Sequence, residues 1–281
     1  MVIERAPLED ELGDVLEKAL RLAGGDETAL AARAGLDLAR IRDAMDYRHD
    51  FSAAEAGRLA AALGLNEVGL AALAGGHYPL PEIAGLPFCL YPLRMPHGVS
   101  VANAYLVADC AQSHGLLFDA GADFAQLRRV WPKNLRRLDA VIITHAETEH
   151  VGGLAEALAA FGPAPVYAPA GAVVAGAIAL GEGECVQFGG TEVRAISTPG
   201  HAAAHNCYVV TVPGVPSAAP LLVSGDLLFA GSVGGCYFSA PLLRAGLRRL
   251  FAELPDVTVV APGHGPLTTI KNERAFNPFA L

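Results

Sequence analysis

Four side chains able to bind a metal ion follow one short apolar stretch within six positions. The stretch LDAVIIT has the composition of a buried strand, and a glycine pair that opens a helix comes soon after it. The four candidate ligands between them are His145, Glu147, Glu149 and His150. Polar side chains at the end of a buried strand are costly unless they find partners. Histidines alternating with carboxylates can converge on a metal ion, so this segment predicts a metal site.

Three further candidate ligands follow other apolar stretches. His201 comes after EVRAIST, Asp226 ends PLLVSGD, and His264 comes after VTVVAPG. Each stretch is short, largely apolar and bounded by Gly, Pro or Asp, which indicates a strand. The pattern of a strand that ends at a candidate ligand therefore occurs four times in this chain.

The composition supports a packed core and excludes several classes of protein. The 281 residues are 52% hydrophobic and 17% charged, and no apolar run reaches the roughly 18 residues that span a bilayer. The acidic N-terminus lacks a secretory signal. Five scattered cysteines without a CxxC pair predict reduced, mostly buried thiols in a cytoplasmic protein. A net charge of −9 argues against nucleic acid as the main partner. The lack of a long apolar run argues against membrane association, and the partner we expect is a small-molecule substrate.

The chain divides into two parts joined by a short connection. Residues 1–76 carry apolar residues at helical spacing, and residues 77–87 hold three prolines, which predicts a small helical domain and a linker. In residues 88–281 strands alternate with helical stretches, which predicts an α/β layered fold.

Local signals predict the individual elements. The helices predicted are 12–22, 28–35 after the N-cap Asp26, 36–45, 52–64 opening on a Ser52–Glu55 capping box, 153–162, 170–181 and 240–254. The strands predicted are 101–107, 115–121, 138–144, 164–169, 192–198, 206–212, 220–226 and 257–263.

The front part resembles the helix-turn-helix of Cro/repressor-type DNA-binding domains over residues 30–65. In that family the helix at 37–45 would enter the DNA groove. The charge disagrees with this role, because residues 1–77 carry eight basic and fourteen acidic side chains, a net charge of −6. We therefore expect this part to pack against the rest of the chain or to form a homodimer. A DNA-binding regulator whose back domain binds an effector is the third functional alternative.

The ordered motifs THAETEHVGG, TPGH, SGDLLF and PGHG resemble those of the metallo-β-lactamase superfamily, across essentially all of residues 88–281. The ending PGHGPLTTIKNERAFNPF is similar to bacterial glyoxalase II-type hydrolases. The resemblance implies an αββα sandwich with a dinuclear metal site at one edge. It implies one metal on His145, Glu147 and His201, the other on Glu149, His150 and His264, and Asp226 as a bridge. It also implies that Asp119 supports the ligands without binding metal, and we expect Thr144 and His205 to do the same.

The motif departs from the HxHxDH of the resembled family at two positions, since Glu147 replaces a histidine and Glu149 an aspartate. The ligand set then carries a charge of −3 instead of −2. A less positive cluster is a weaker Lewis acid, and an oxygen-rich shell favours iron or manganese over zinc, although zinc stays an option. An HxExEH motif also resembles di-iron members of this fold. The longer Glu149 leaves open whether it binds the metal.

Two functions follow from the resemblance. A metallohydrolase would use a metal-bound hydroxide on an ester, thioester or lactone, with Glu149 or Asp226 orienting the hydroxide and moving its proton. The alternative is a di-iron protein that binds, reduces or senses oxygen, resembling flavodiiron proteins without their flavodoxin domain. The hydrolase resemblance spans the whole back domain, whereas the di-iron resemblance rests on one motif.

Expected substrate contacts are Tyr237, Lys271 and Arg274. The histidines at 49, 77, 97 and 114 are interpreted as surface or hydrogen-bonded residues.

Overall fold

The computed structural model describes residues 6–111 and 113–280, and its first part is helical. Asp26 caps α2, and Ser52 and Glu55 form the predicted capping box at α4. The helices of this part are α1 (Leu12–Leu22), α2 (Glu27–Ala34), α3 (Leu38–Met45), α4 (Ala53–Leu63) and α5 (Glu67–Ala74). Their apolar faces enclose a core of its own that includes Leu16, Leu30, Ile41, Leu59 and Leu70.

Helix α5, which the sequence analysis did not predict, packs on the C-terminal segment. The Asn66 backbone N–H donates to the Pro278 carbonyl at 2.8 Å, and its side-chain amide donates to the Ala275 carbonyl at 2.9 Å. Gly69 allows the close approach, because a Cβ there would lie 1.8 Å from the Phe276 carbonyl oxygen. The helical part is therefore built onto the back part.

The back part contains two six-stranded sheets. The first has the order β1-β2-β3-β4-β5-β6 and is formed by β1 (Cys89–His97), β2 (Ser100–Ala108), β3 (His114–Phe118), β4 (Arg137–Ile142), β5 (Val166–Pro169) and β6 (Ile178–Leu180). The second has the order β14-β13-β10-β9-β8-β7 and is formed by β7 (Cys185–Phe188), β8 (Thr191–Ser197), β9 (Asn206–Thr211), β10 (Leu221–Gly225), β13 (Val259–Pro262) and β14 (Thr268–Thr269). A small hairpin pairs β11 (Leu228–Phe229) with β12 (Ser232–Val233).

Helices cover the outer faces of the two sheets. Phe118 and Ile142 of the first sheet pack against Tyr208 and Val223 of the second. The outer helices are α6 (Phe124–Val130), α7 (Thr148–Val151) and α8 (Leu154–Phe161) on the first sheet, and α9 (Ala240–Glu253) and α10 (Ile270–Phe276) on the second. This αββα arrangement confirms the predicted fold class.

The topology brings strand ends to one edge. Strands β10 and β13 are parallel, and the Gly263 N–H donates to the Gly225 carbonyl at 2.9 Å just beyond them. The Asn206 N–H donates to the Thr144 carbonyl at 2.9 Å, which joins the end of β4 to the start of β9 across the sandwich. The segments after β4, β10 and β13 therefore emerge side by side.

The helix predicted at 170–181 does not form. The segment makes turns and then the edge strand β6, which pairs in parallel with β5. Gly171 and Gly176 adopt positive φ angles of 89° and 71°. Because these angles interrupt a right-handed helix, the apolar spacing here reflected a loop and a strand.

The prediction of five reduced, mostly buried thiols is wrong. Cys89 and Cys110 form a disulfide, Cys185 is exposed, and only Cys207 of the three free cysteines is buried. The hairpin register places Cys89 opposite Ala108, two residues before Cys110, and the linear spacing did not reveal this pairing. The cysteines therefore do not support the predicted cytoplasmic location. Within the described residues, no helix has both the length and the apolar character needed to cross a membrane.

Candidate metal centre

The seven candidate ligands lie just beyond β4, β8, β10 and β13, at the edge where these strands end. Glu147 is the N-cap of α7, and Glu149 and His150 lie within this single helical turn. A β-bridge between His145 and His205 attaches the segment after β4 to the second sheet. His145 and His150 are fully buried, whereas the side chain of Glu147 keeps 36% of its surface exposed.

Three groups of these residues present ligand atoms that lie within 4.8 Å of one another. The groups are His145 with Glu147 and His201, His145 with His150 and Asp226, and Glu149 with His150 and His264. The Asp226 carboxylate lies among all three, with Oδ1 3.6 Å from His150 Nε2 and Oδ2 3.4 Å from His264 Nε2. Two ligands that each lie about 2 Å from one ion are about 3 to 3.5 Å apart, so this spacing fits metal ligation.

Asp119 holds the imidazole of His150 directly and that of His145 through Thr144. Its carboxylate accepts hydrogen bonds from the Thr144 N–H at 2.8 Å, the Thr144 hydroxyl at 2.9 Å and His150 Nδ1 at 3.0 Å. The Thr144 hydroxyl, which donates to Asp119, is left to accept from His145 Nδ1 at 3.0 Å. Asp119 itself adopts a positive φ of 58°, a conformation that aspartate tolerates better than most residues.

The other two imidazoles are held at Nδ1 as well. His201 Nδ1 donates to the Gly235 carbonyl at 2.7 Å. His264 Nδ1 lies 3.0 Å from the Ser100 hydroxyl, which in turn donates to Glu9. With a proton on Nδ1 for these bonds, each imidazole in its neutral form offers the lone pair of Nε2 to a metal ion.

The free lone pairs point into the cluster. Among the described residues, the Nε2 atoms of His145, His150 and His201 and Asp226 Oδ1 are buried without a hydrogen-bond partner. Buried polar atoms are nearly always paired, so several such atoms in one place need an explanation. Metal ions on these atoms would satisfy all of them, and the residues present therefore fit a metal centre.

The electrostatics of the cluster also fit a cation site. Burial disfavours a charged imidazole, but the carboxylates of Asp119 and Asp226 outweigh it and raise the pKa of His150 to about 9. Burial and the neighbouring His150 hold the pKa of His145 well below its ordinary value. Burial opposes ionisation of Asp226 too, yet His150 and His264 keep the pKa of this carboxyl well below its usual range. A charged carboxylate therefore lies at the centre of the imidazoles.

His205 contacts the cluster without pointing a free atom into it. Its Nε2 accepts from the Asp226 backbone N–H at 3.1 Å, and its Nδ1 pairs with the Thr198 hydroxyl at 2.8 Å. Burial, with the nearby His201, lowers the pKa of His205 to about 3, so the ring is neutral. Both nitrogens are occupied, and His205 fixes the backbone that carries Asp226.

The expected substrate residues separate into two places. Tyr237 is 69% exposed and lies beside the ring of His201, with ring centroids 5.2 Å apart. Arg274 instead pairs with Asp256 and the carbonyl of Leu254, and the Lys271 N–H donates to the Asp256 carbonyl. Since Asp256 precedes β13 and the ligands follow this strand, the structure does not bring Lys271 and Arg274 to the cluster.

The sequence analysis did not predict several contacts and cavities of the folded chain. His97, interpreted as an ordinary surface or hydrogen-bonded residue, lies 3.9 Å from Glu149. A groove of about 120 Å³ between α1 and residues 234–237 borders Tyr237. A larger cavity of about 660 Å³ is lined by none of the candidate ligands. Glu9 and Ser100 lie far from the motifs in sequence, and only the folded chain brings them to His264.

The comparisons with known proteins agree with this geometry. The family model described as "Metallo-beta-lactamase superfamily" matches residues 97–264, which is more than half of the chain and includes all seven candidate ligands. The chain belongs to the metallo-beta-lactamase superfamily. The match begins after the helical part, which it leaves outside.

Three known proteins illustrate what this chain is similar to. The hydroxyacylglutathione hydrolase of Serratia proteamaculans is 28% identical over 178 residues, covering 63% of this chain and 67% of that enzyme. The structure of ETHE1 from Myxococcus xanthus is 26% identical with a TM-score of 0.55, covering 67% of this chain and 84% of that chain. TTHA1623, solved in a di-iron-bound form, is 30% identical with a TM-score of 0.50, covering 66% of this chain and 98% of that chain.

Proposed function

We propose that this protein is a hydrolase with a dinuclear metal centre that cleaves an ester, a thioester or a lactone. The observation that carries the proposal is the set of four imidazoles, each held at Nδ1, whose Nε2 atoms face carboxylates at one edge of the sandwich. The similarity to a hydroxyacylglutathione hydrolase supports hydrolysis of an acyl bond.

The ligands divide between two ions. The three groups of converging atoms support His145, Glu147 and His201 for one ion and Glu149, His150 and His264 for the other, with Asp226 between them. Three carboxylates in the set favour iron or manganese over zinc. The similarity to a protein solved in a di-iron-bound form agrees with this preference.

The residues of the chain have distinct tasks in the proposed reaction. Two bound ions would lower the pKa of a water molecule and polarise the substrate carbonyl. Asp226, buried and ionised, accepts a hydrogen bond from the attacking water and orients it. The partly exposed Glu149 carries a proton towards the leaving group at the mouth of the site. Tyr237 packs against the substrate beside His201.

Elemental analysis and a hydrolysis panel test the proposal. The wild type is expected to hold two ions per chain and to cleave at least one compound in a panel of thioesters, esters and lactones. Asp226→Asn should lower the metal content to one ion or none and the rate by at least about 100-fold. Asp109→Asn, an exposed carboxylate beyond the end of β2, serves as the matched control. If Asp226→Asn still holds two ions per chain, the assignment of Asp226 as a metal ligand is wrong.

A di-iron redox or oxygen-binding role is the second candidate, and Glu147 is the observation that favours it. Its Oε1 lies 3.1 Å from His201 Nε2, where a carboxylate adds an oxygen ligand. The test is the ultraviolet–visible spectrum of iron-loaded protein before and after reduction and exposure to air. An oxygen-dependent band without hydrolysis of the panel would favour this role, and a silent spectrum would end it.

We propose that DNA is not the partner of the helical part. The arginines of α3 and the turn after it are paired within the chain: Arg40 with Glu55, Arg42 with Glu27, and Arg48 with Asp43. Arginines in such pairs contribute little phosphate neutralisation. Retention on a DNA column at low salt, lost as salt rises, would overturn this proposal.

A further inference from the structure

The partners of three of the four imidazoles lie wholly within the region matched by the family model, whereas the hydrogen bonds of the fourth, His264, continue to a residue outside it. The hydroxyl of Ser100, the first residue of β2, lies 3.0 Å from His264 Nδ1 and donates to a carboxylate oxygen of Glu9. Glu9 comes from the segment that leads into α1, and its Oε1 lies 3.6 Å from His264 Nδ1.

The segment around Glu9 is fixed against the edge of the sandwich. Asp10 binds Lys18 and the Ser232 hydroxyl, and Lys18 Nζ donates to the Val233 carbonyl at 2.8 Å. The backbone of Glu9 lies against Gly265, where a Cβ would come within 3.1 Å of the Glu9 nitrogen. Glu9 therefore has a defined position beside the loop that carries His264.

The hydrogen-bond directions form a continuous chain. A hydroxyl can accept one hydrogen bond while it donates another, so Ser100 accepts from His264 Nδ1–H and donates to Glu9. The side chains of His264 and Glu9 are only 10% and 19% exposed, so water screens their interaction weakly. A carboxylate behind a ligating histidine fixes its tautomer and makes its free nitrogen a stronger ligand.

We infer that the helical part completes the metal centre, with Glu9 positioning His264 through Ser100. This inference rests on the proposed dinuclear centre. It makes the segment before α1 part of one of the two ion sites, the one formed by Glu149, His150 and His264. The site of His145, Glu147 and His201 does not depend on Glu9.

The test compares the wild type with Glu9→Gln, Ser100→Ala and Glu17→Gln. Glu17 is an exposed carboxylate on α1 whose partner is Arg21, so Glu17→Gln makes the same chemical change away from His264. The binding of two manganese ions is measured by competition with a chelator, and the stability of the metal-free protein by thermal unfolding. Glu9→Gln and Ser100→Ala are each expected to lower the affinity for one manganese ion on the order of 10-fold. The affinity for the other ion and the stability of the metal-free protein should stay unchanged.

A double variant separates the relay from a general effect on packing. If Glu9 acts through Ser100, the combined variant weakens the ion no more than Ser100→Ala alone. If the affinities for both ions fall equally and the metal-free protein is less stable, the variants have loosened the packing. That result would overturn the role of the His264–Ser100–Glu9 hydrogen bonds. If Glu9→Gln binds both ions with wild-type affinity, the inference about Glu9 is wrong and the proposed centre still stands. If the wild type itself binds no ions, the proposed centre is wrong as well.

Discussion

Glu147 is the residue that most distinguishes this metal centre from the HxHxDH pattern. It lies 3.1 Å from His201 and 3.9 Å from His145, so its carboxylate occupies the third position of that group. A histidine there would replace an oxygen ligand by nitrogen and remove one negative charge. The residue at this position would therefore set both the type of ligand atom and the charge of the proposed metal site.

We expect Glu147→His to shift metal preference towards zinc. Nitrogen ligands suit zinc, and the lost carboxylate reduces the preference for iron or manganese. The metal content is measured after equal mixtures of zinc and manganese are offered to the metal-free protein. Glu156→His, on the exposed face of α8, is the control. Unchanged selectivity would mean that Glu147 does not bind metal.

The raised pKa of His150 predicts how metal affinity depends on pH. With a pKa of about 9 in the metal-free protein, this imidazole is protonated at neutral pH, and a metal ion must displace that proton. The apparent association constant should therefore rise at least about tenfold per pH unit up to about pH 9, and more steeply where His201 and His264, whose pKa values are raised by the neighbouring carboxylates, also lose protons to the metal. Chelator competition between pH 6 and 10 measures this slope. A flat profile between pH 6 and 8 would contradict it.

At the scale of elements, sequence patterns predicted the strands that end at ligands better than the segments between them. The strands before His145, Asp226 and His264 were predictable because each combines β-branched residues with a Gly, Pro or Asp boundary. Residues 170–181 were mispredicted because alanines and valines at mixed spacing fit both a helix and an edge strand. The contact of Glu9 with His264 spans over 250 positions, and no local pattern encodes such a contact.

Helix α5 provides the element-scale prediction. Gly69→Ala is expected to destabilise the protein by about 1–3 kcal/mol, although alanine favours helix, because the new Cβ would meet the Phe276 carbonyl. Gly246→Ala in α9 is the matched control, since a Cβ there makes ordinary contacts at 3.4 Å and beyond. It should be neutral or stabilising by up to about 1 kcal/mol. Urea unfolding measures both, and equal effects would contradict the packing explanation.

At the scale of the whole molecule, a buried carboxylate joins the helical part to the back part. Glu273 accepts hydrogen bonds from the Tyr78 hydroxyl and the Gly231 N–H, both at 2.9 Å, and from the Thr268 hydroxyl at 2.7 Å. Burial raises its pKa, yet these donors satisfy its oxygens. Tyr78 follows α5, and Gly231 lies in the hairpin next to Ser232, which binds Asp10. The two parts therefore share polar contacts as well as the apolar contacts of Phe279.

These shared contacts predict that the metal-free protein unfolds as one unit. Trp131, the single tryptophan, stacks on Phe161 in the back part and reports on that part alone. Helical circular dichroism reports on both parts, because α1–α5 contribute slightly more than half of the helical residues and α6–α10 the rest. The two signals should follow the same urea transition. Tyr78→Phe removes one donor to the buried Glu273 and should shift both transitions together, by about 1–2 kcal/mol. Loss of about half of the helical signal at lower urea than the tryptophan signal would show that the helical part is a separate folding unit, whose contacts with the back part are too weak to couple the two.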